Sequence, residues 1–138
     1  MSRRTKIVLI VTTLLILLTL VLFATYLIFT NFSTGIPSGE AALHYDGKDF
    51  PLTSEEAEQM KKIFRFKFYD FGIGGCPYEE DISITFGDTV FAIATDGCYS
   101  AKEWDAERYI VFSRSEFEQI AALFKKYCGD TPVYLYCP

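Results

Sequence analysis

Residues 7–29 run for 23 positions without a formal charge, directly after Arg3, Arg4 and Lys6. A helix rises about 1.5 Å per residue, so about 20 apolar residues cross the hydrocarbon core of a bilayer. The run is long enough to do so. The next charge after it is Glu40, and cations gather on the cytoplasmic side of membrane spans. The expected arrangement is therefore a cell-membrane, single-pass signal anchor with residues 1–6 in the cytoplasm and the remainder outside. A cleaved secretory signal also begins with basic residues. Its apolar core is shorter, about 7–15 residues, and ends in a small-x-small site. The stretch 23–33 offers no such pair, which favours a retained anchor. Thr12, Thr19 and Tyr26 recur every seven residues, but intramembrane threonines commonly bond back to their own helix.

Charge and cysteine usage describe the remainder. All 18 acidic residues lie beyond residue 30, against ten of the 13 basic ones, so this part carries −8. Such a balance argues against nucleic acid as a partner. About a hundred residues suffice for one hydrophobic core and not for two. Residues 30–40, with Ser33, Gly35, Pro37, Ser38 and Gly39, read as a flexible stalk before a single domain over 41–138. Cys76, Cys98, Cys128 and Cys137 all fall on the outer side, where disulfides persist. Four cysteines permit three pairings. The local one, Cys76–Cys98 with Cys128–Cys137, is expected from the strand register below.

Ala42–Tyr45 and Asp49–Leu52 flank Asp46-Gly47, a strong hairpin signal. Thr53 and Glu56 form a capping box for a helix expected over 54–67, with Ala57, Met60, Ile63, Phe64 and Phe68 inward. Residues 71–81 read as a glycine-rich connection ending in Glu79, Glu80 and Asp81. Around Gly87-Asp88, alternation places Ile84 opposite Phe91 and Ile82 opposite Ile93. Continuing that ladder brings Cys76 near Cys98. Residues 96–107 read as a polar loop, 108–113 as a strand and 114–127 as a helix. The inward face of that helix is Phe117, Ile120, Ala121, Phe124 and Tyr127. Val133–Cys137 reads as a terminal strand.

A shift of 60 aligns residues 52–64 with 112–124, matching Thr53, Glu56, Glu58, Gln59 and Phe64 to Ser113, Glu116, Glu118, Gln119 and Phe124. Either a duplicated strand–helix unit or two similar capped helices would produce this. The expected class is α+β: an antiparallel sheet with two amphipathic helices on one face. In outline it is similar to the helix-on-sheet folds of some extracellular inhibitor domains, a likeness that carries no function.

No catalytic, metal or cofactor motif is evident. His44 is the only histidine, beside a hairpin turn and expected at the surface. The carboxylate trio 79–81 fits no EF-hand spacing. The long segment 96–107 is the best contact candidate, through Tyr99, Trp104 and Asp105. Asn31-Phe32-Ser33 matches a glycosylation sequon close to the membrane. The expected function is a non-enzymatic extracytoplasmic interaction module binding a protein or cell-wall partner. Two alternatives stand beside it. One is a small hydrolase or metal-dependent enzyme using His44 with nearby carboxylates. The other is an accessory subunit of a membrane complex.

Overall fold

The computed structural model describes residues 2–35, 37–71 and 75–129. It divides into two compact units, Met1–Ser33 and Thr34–Pro138.

The first unit is helix α1, Arg3–Phe32. It is longer at both ends than the uncharged run; at its start Ser2 caps it, the hydroxyl accepting from the Thr5 amide at 3.3 Å. Arg3, Arg4 and Lys6 thus occupy the positive end of the helix dipole, an arrangement that costs a few tenths of a kcal/mol for each exposed cation. One helix in the described chain is long and apolar enough to cross a membrane. Its threonine hydroxyls turn inward: Thr12 donates to the Val8 carbonyl, Thr13 to Leu9, Thr19 to Ile16 and Thr25 to Val21, all at 2.8–2.9 Å. The sequon asparagine, Asn31, likewise donates to the Leu27 carbonyl at 2.8 Å.

The second unit is α+β. Strands β1 (Ala41–Tyr45) and β2 (Lys48–Pro51) precede helix α2 (Ser54–Phe64). Strands β3 (Tyr69–Asp70), β4 (Tyr78–Phe86), β5 (Thr89–Ala94), β6 (Ser100–Glu103) and β7 (Arg108–Val111) follow, then helix α3 (Arg114–Cys128). The strands form one antiparallel sheet in the order β2-β1-β4-β5-β6-β7-β3. Asp46 and Gly47 have φ of 51° and 68°, the left-handed pair that a two-residue hairpin requires.

Phe64 is the hub of the core. It is fully buried, with ring centroids 5.2, 5.0 and 5.0 Å from Phe86, Phe91 and Phe112. Both helices open with capping boxes, Thr53 with Glu56 and Ser113 with Glu116. They meet through contacts that follow the 60-residue offset. Gln59 donates to Gln119 at 2.8 Å, Lys67 bonds Glu116 at 2.7 Å, and Tyr127 donates to Glu56 at 2.7 Å. These contacts describe how the helices pair, not a shared ancestry.

Several expectations are corrected. Helix α2 ends at Phe64 rather than 67, because Phe66 takes a left-handed φ of 55° and the chain then extends. Phe68 is accordingly exposed rather than on the buried face. Glu79, Glu80 and Asp81 belong to strand β4, not to a connection. The segment 96–107 contains a strand, β6, paired on both sides. Its Ser100 and Ala101 are fully buried, and pairing with β5 and β7 overrides their weak strand propensity. The β4–β5 ladder has Ile84 opposite Phe91 as expected, but it slips between Tyr78 and Ser83 before reaching an Ile82–Ile93 pair.

The Cys76–Cys98 bridge is formed, with Cα atoms 6.5 Å apart. Cys128 has no disulfide partner among the described residues, and burial raises its thiol pKa. The bridge to Cys137 and the strand Val133–Cys137 lie outside the described residues.

The segment expected to be a stalk makes several contacts in the second unit. The Thr34 amide donates to the Lys67 carbonyl at 2.9 Å, and the Phe66 amide to the Gly35 carbonyl at 2.6 Å. A Cβ on Gly39 would sit 2.8 Å from the Gly87 backbone, so only glycine fits that approach.

Candidate functional site

Strand alternation gives the sheet two faces. Leu43, Ile84, Phe91, Ile93, Ala101 and Ile110 belong to the core beneath the helices. The opposite face has no helix over it among the described residues. Successive registers place one row across all seven strands of that face: Asp49, His44, Ser83, Ala92, Lys102, Tyr109 and Asp70.

His44 is the chemical centre of this row. Its Nδ1 lies 2.6 Å from Asp49 Oδ1, and its Nε2 lies 3.4 Å from Asp81 Oδ1. Asp49 is its direct cross-strand neighbour on β2, and Asp81 stands diagonally across on β4. The hydrogen bond to Asp49 is the main reason its pKa is raised above the ordinary imidazole value, with partial burial working the other way. In front of it lies a depression of about 320 Å³ lined by His44, Glu80, Asp81, Ser83, Thr85 and Val90. Glu80 and Asp81 both reach it although they are sequence neighbours. The register slip in β4 breaks the alternation there, and bulges commonly re-aim side chains in this way. A larger cleft of about 490 Å³ opens between the start of β1 and α2, beside Ala42, Leu52, Ala57 and Lys61, but His44 and its carboxylates are not among its lining.

The histidine–carboxylate geometry that an enzyme would need is thus present in part. The rest is unfavourable to hydrolysis. Ser83, directly opposite His44, is 1 % exposed, and it sits mid-strand, where a ladder has no spare amides to stabilise an oxyanion.

The expected contact residues do not converge. Tyr99 has φ of 46° and turns into the core, its ring 5.2 Å from Phe117. Trp104 stands at the other end of β6, roughly 16 Å away along the strand. There its amide bonds the Val90 carbonyl at 2.9 Å. The Lys102 ammonium lies 4.8 Å from its ring centroid. Asp105 is exposed in the adjoining turn.

A second polar group is structural in character. Arg108 lies 4.1 Å over the Tyr69 ring and bonds Glu103 at 2.8 Å, while Tyr69 donates to Glu103 at 2.5 Å. Burial, reinforced by Glu103, pushes the Tyr69 pKa far up, so this hydroxyl stays a donor.

Sequence reasoning singled out His44 but not its partners. Asp49 was readable from the hairpin, since a two-residue turn at 46–47 sets 44 against 49. Asp81 was not, because the β1–β4 pairing is non-local. No protein-family model, curated protein or solved structure matches the chain.

Proposed function

We propose that this chain is a single-pass membrane protein with its N-terminus in the cytoplasm and a disulfide-braced binding domain outside. The domain is non-enzymatic and binds a protein or cell-wall partner through the uncovered sheet face around Trp104 and Asp105. Neither nucleic acid nor a cofactor is part of this reading.

The observation that carries it is the pairing of two facts: an apolar helix in which Thr12, Thr13, Thr19 and Thr25 bond their own backbone carbonyls, and a bridged Cys76–Cys98 in the other unit. A helix with its polar groups satisfied suits lipid. A disulfide suits an oxidising compartment. Three cations at the start of the helix, ahead of its uncharged stretch 7–29, support the orientation. Trp104 is half-buried beside Lys102, with an exposed turn next to it. Tryptophan is enriched at contact surfaces.

Adding a membrane-impermeant protease to intact cells tests the orientation: residues after 34 should be digested and the N-terminus protected. Cross-linking of the full chain in cells, and co-sedimentation with purified cell wall, test the binding. Both should weaken on Trp104→Ala. Unchanged capture removes this face from consideration. Replacing α1 by an unrelated apolar helix separates the reading from that of a complex subunit, since binding by the domain survives the exchange.

A further inference from the structure

We propose that segment 62–71 docks the second unit on the bilayer that α1 spans: Phe66, Phe68 and Phe71 enter its interfacial layer, and Lys62 and Arg65 face its anionic phosphate headgroups. The inference rests on α1 spanning a bilayer and is independent of the face around Trp104.

Three observations carry it. The first is where the domain exposes apolar surface. Phe66, Phe68 and Phe71 are 48 %, 59 % and 70 % exposed, and Val111 is the one other exposed large hydrophobic among the described residues of the second unit. Strand β3 pairs Tyr69 with Ile110, and continuing that register one step sets Val111 opposite Phe68. The apolar surface therefore gathers at the β3 edge, and such a patch marks a contact with a protein or a membrane. Phe66 also holds a left-handed φ of 55°, which glycine adopts freely and a bulky residue does not. Its ring lies outside the core, so packing gains nothing from keeping it there.

The second observation is the tether, which names the membrane as the occupant. The Thr34 hydroxyl donates to the Phe64 carbonyl at 2.5 Å and accepts from the Lys67 amide at 3.0 Å. The Phe66 amide donates to the Gly35 carbonyl at 2.6 Å. Ser33 alone separates Thr34 from the last residue of α1. Beyond the uncharged run, three helical residues add about 4.5 Å and two further steps at most about 7 Å. Covalent reach thus keeps Thr34, and the segment bonded to it, within about 12 Å of the hydrocarbon edge, where headgroups occupy the first 5–7 Å or so. The third observation is charge. The chain beyond residue 30 carries −8, yet between Glu58 and Asp70 it holds Lys61, Lys62, Arg65 and Lys67 and no acid. Lys61 is paired with Glu58 and Lys67 with Glu116, which leaves Lys62 and Arg65, both exposed, for phosphate. Aromatic rings beside cations are what interfacial segments use to hold an anionic bilayer surface.

Reconstituting the full chain into vesicles of phosphatidylcholine and phosphatidylglycerol tests this. With Trp104, the chain's one tryptophan, replaced by Phe, Phe68→Trp and Leu17→Trp each supply a single reporter. Phe68→Trp should emit at shorter wavelength and be quenched by lipids brominated near the headgroup. Leu17→Trp should be quenched by lipids brominated near the acyl ends. Adding Lys62→Glu together with Arg65→Glu should remove most of the quenching at 68 and none at 17. Neither cation forms an ion pair among the described residues, so the double variant remains folded, which circular dichroism verifies. Quenching at 17 without quenching at 68 overturns the docking patch and leaves the anchor standing. Loss at both positions overturns the anchor and the patch together. Quenching at 68 that survives charge reversal overturns the phosphate contact and with it the proposal. A shift at 68 that follows protein density rather than brominated lipid assigns the patch to a second copy of the chain and overturns it as well.

Discussion

The two faces of one sheet are built from the same strands and do opposite things. Beneath the helices, Phe64 meets three phenylalanine rings within about 5 Å and Ile84, Ile93 and Ile110 are fully buried. On the other face the same strands present His44, Lys102 and Tyr109, one residue out of phase with the core. Hydrophobic burial is non-directional and proportional to area, so the first face can hold the fold without specifying any contact. Histidine–carboxylate and cation–ring geometries are directional and add little to stability when exposed. The sheet thereby separates what stabilises the domain from what is available to a ligand, and substitutions on the two faces should differ in kind.

The largest effect belongs to the hub. Phe64→Ala should lower the unfolding free energy by about 3–5 kcal/mol, since cavity formation adds to lost burial. Urea denaturation of the full chain in micelles, followed by circular dichroism, measures it. A loss below about 1 kcal/mol would mean the helices are not held by this cluster.

Next comes the bridge, which belongs to neither face. Cys76–Cys98 closes a loop with a separation of 22 residues, and the chain-entropy relation assigns about 3 kcal/mol to such a loop. Cys98→Ser should therefore fall between a core and a surface substitution. If it matched a surface change, the β4–β5 hairpin would be holding those ends together without help.

How much of this was legible in the sequence follows the same division. The core face was readable because it is periodic: Ile84 opposite Phe91, the capping boxes, and Phe117, Ile120 and Phe124 all stood where alternation and helical spacing put them. The misread places are those where tertiary pairing overrode local signal. Strand β6 is spelled Ser-Ala-Lys-Glu and is a strand only because β5 and β7 flank it. Phe68 alternated plausibly with its neighbours but lies beyond the left-handed turn at Phe66. The candidate site was half legible. Its histidine and near carboxylate share a hairpin, whereas Asp81 arrives through a β1–β4 pairing 37 residues away, which no local pattern encodes. Tyr99 looked like a contact residue because it stood in an apparent loop, and the strand that occupies that loop turns it inward.

The rim of the helix layer should respond to acid. Lys126 and Tyr127 both bond Glu56, and these bonds, with the Lys126 bond foremost, hold its pKa down at about 2 against an ordinary 4.5. A carboxylate with a lowered folded pKa stabilises the fold fully above its unfolded value, and that contribution is lost as pH falls through the folded one. The affected window is therefore about 4.5 down to 2. Glu116 shifts in the same direction; burial opposes the shift, and the bonds from Lys67 and Ser113 outweigh it. Glu56→Gln should cost about 1 kcal/mol at neutral pH, as for a lost helix cap, and should flatten the fall in denaturation midpoint across that window. An unchanged pH profile would show that the inter-helix bonds to Glu56 do not persist in solution.

The smallest effect is expected from Trp104→Ala, and it bears most directly on the contrast between the faces. Trp104 is only half-buried, with Lys102 over its ring, and surface substitutions away from special features usually fall within about 0.5 kcal/mol. A change that small in the urea midpoint, together with loss of partner capture, is what a face reserved for recognition should give. A cost of 2 kcal/mol or more, on the scale of truncating a core residue, would place the tryptophan in the support of the sheet. The division of labour between the faces would then fail at the residue chosen to represent it.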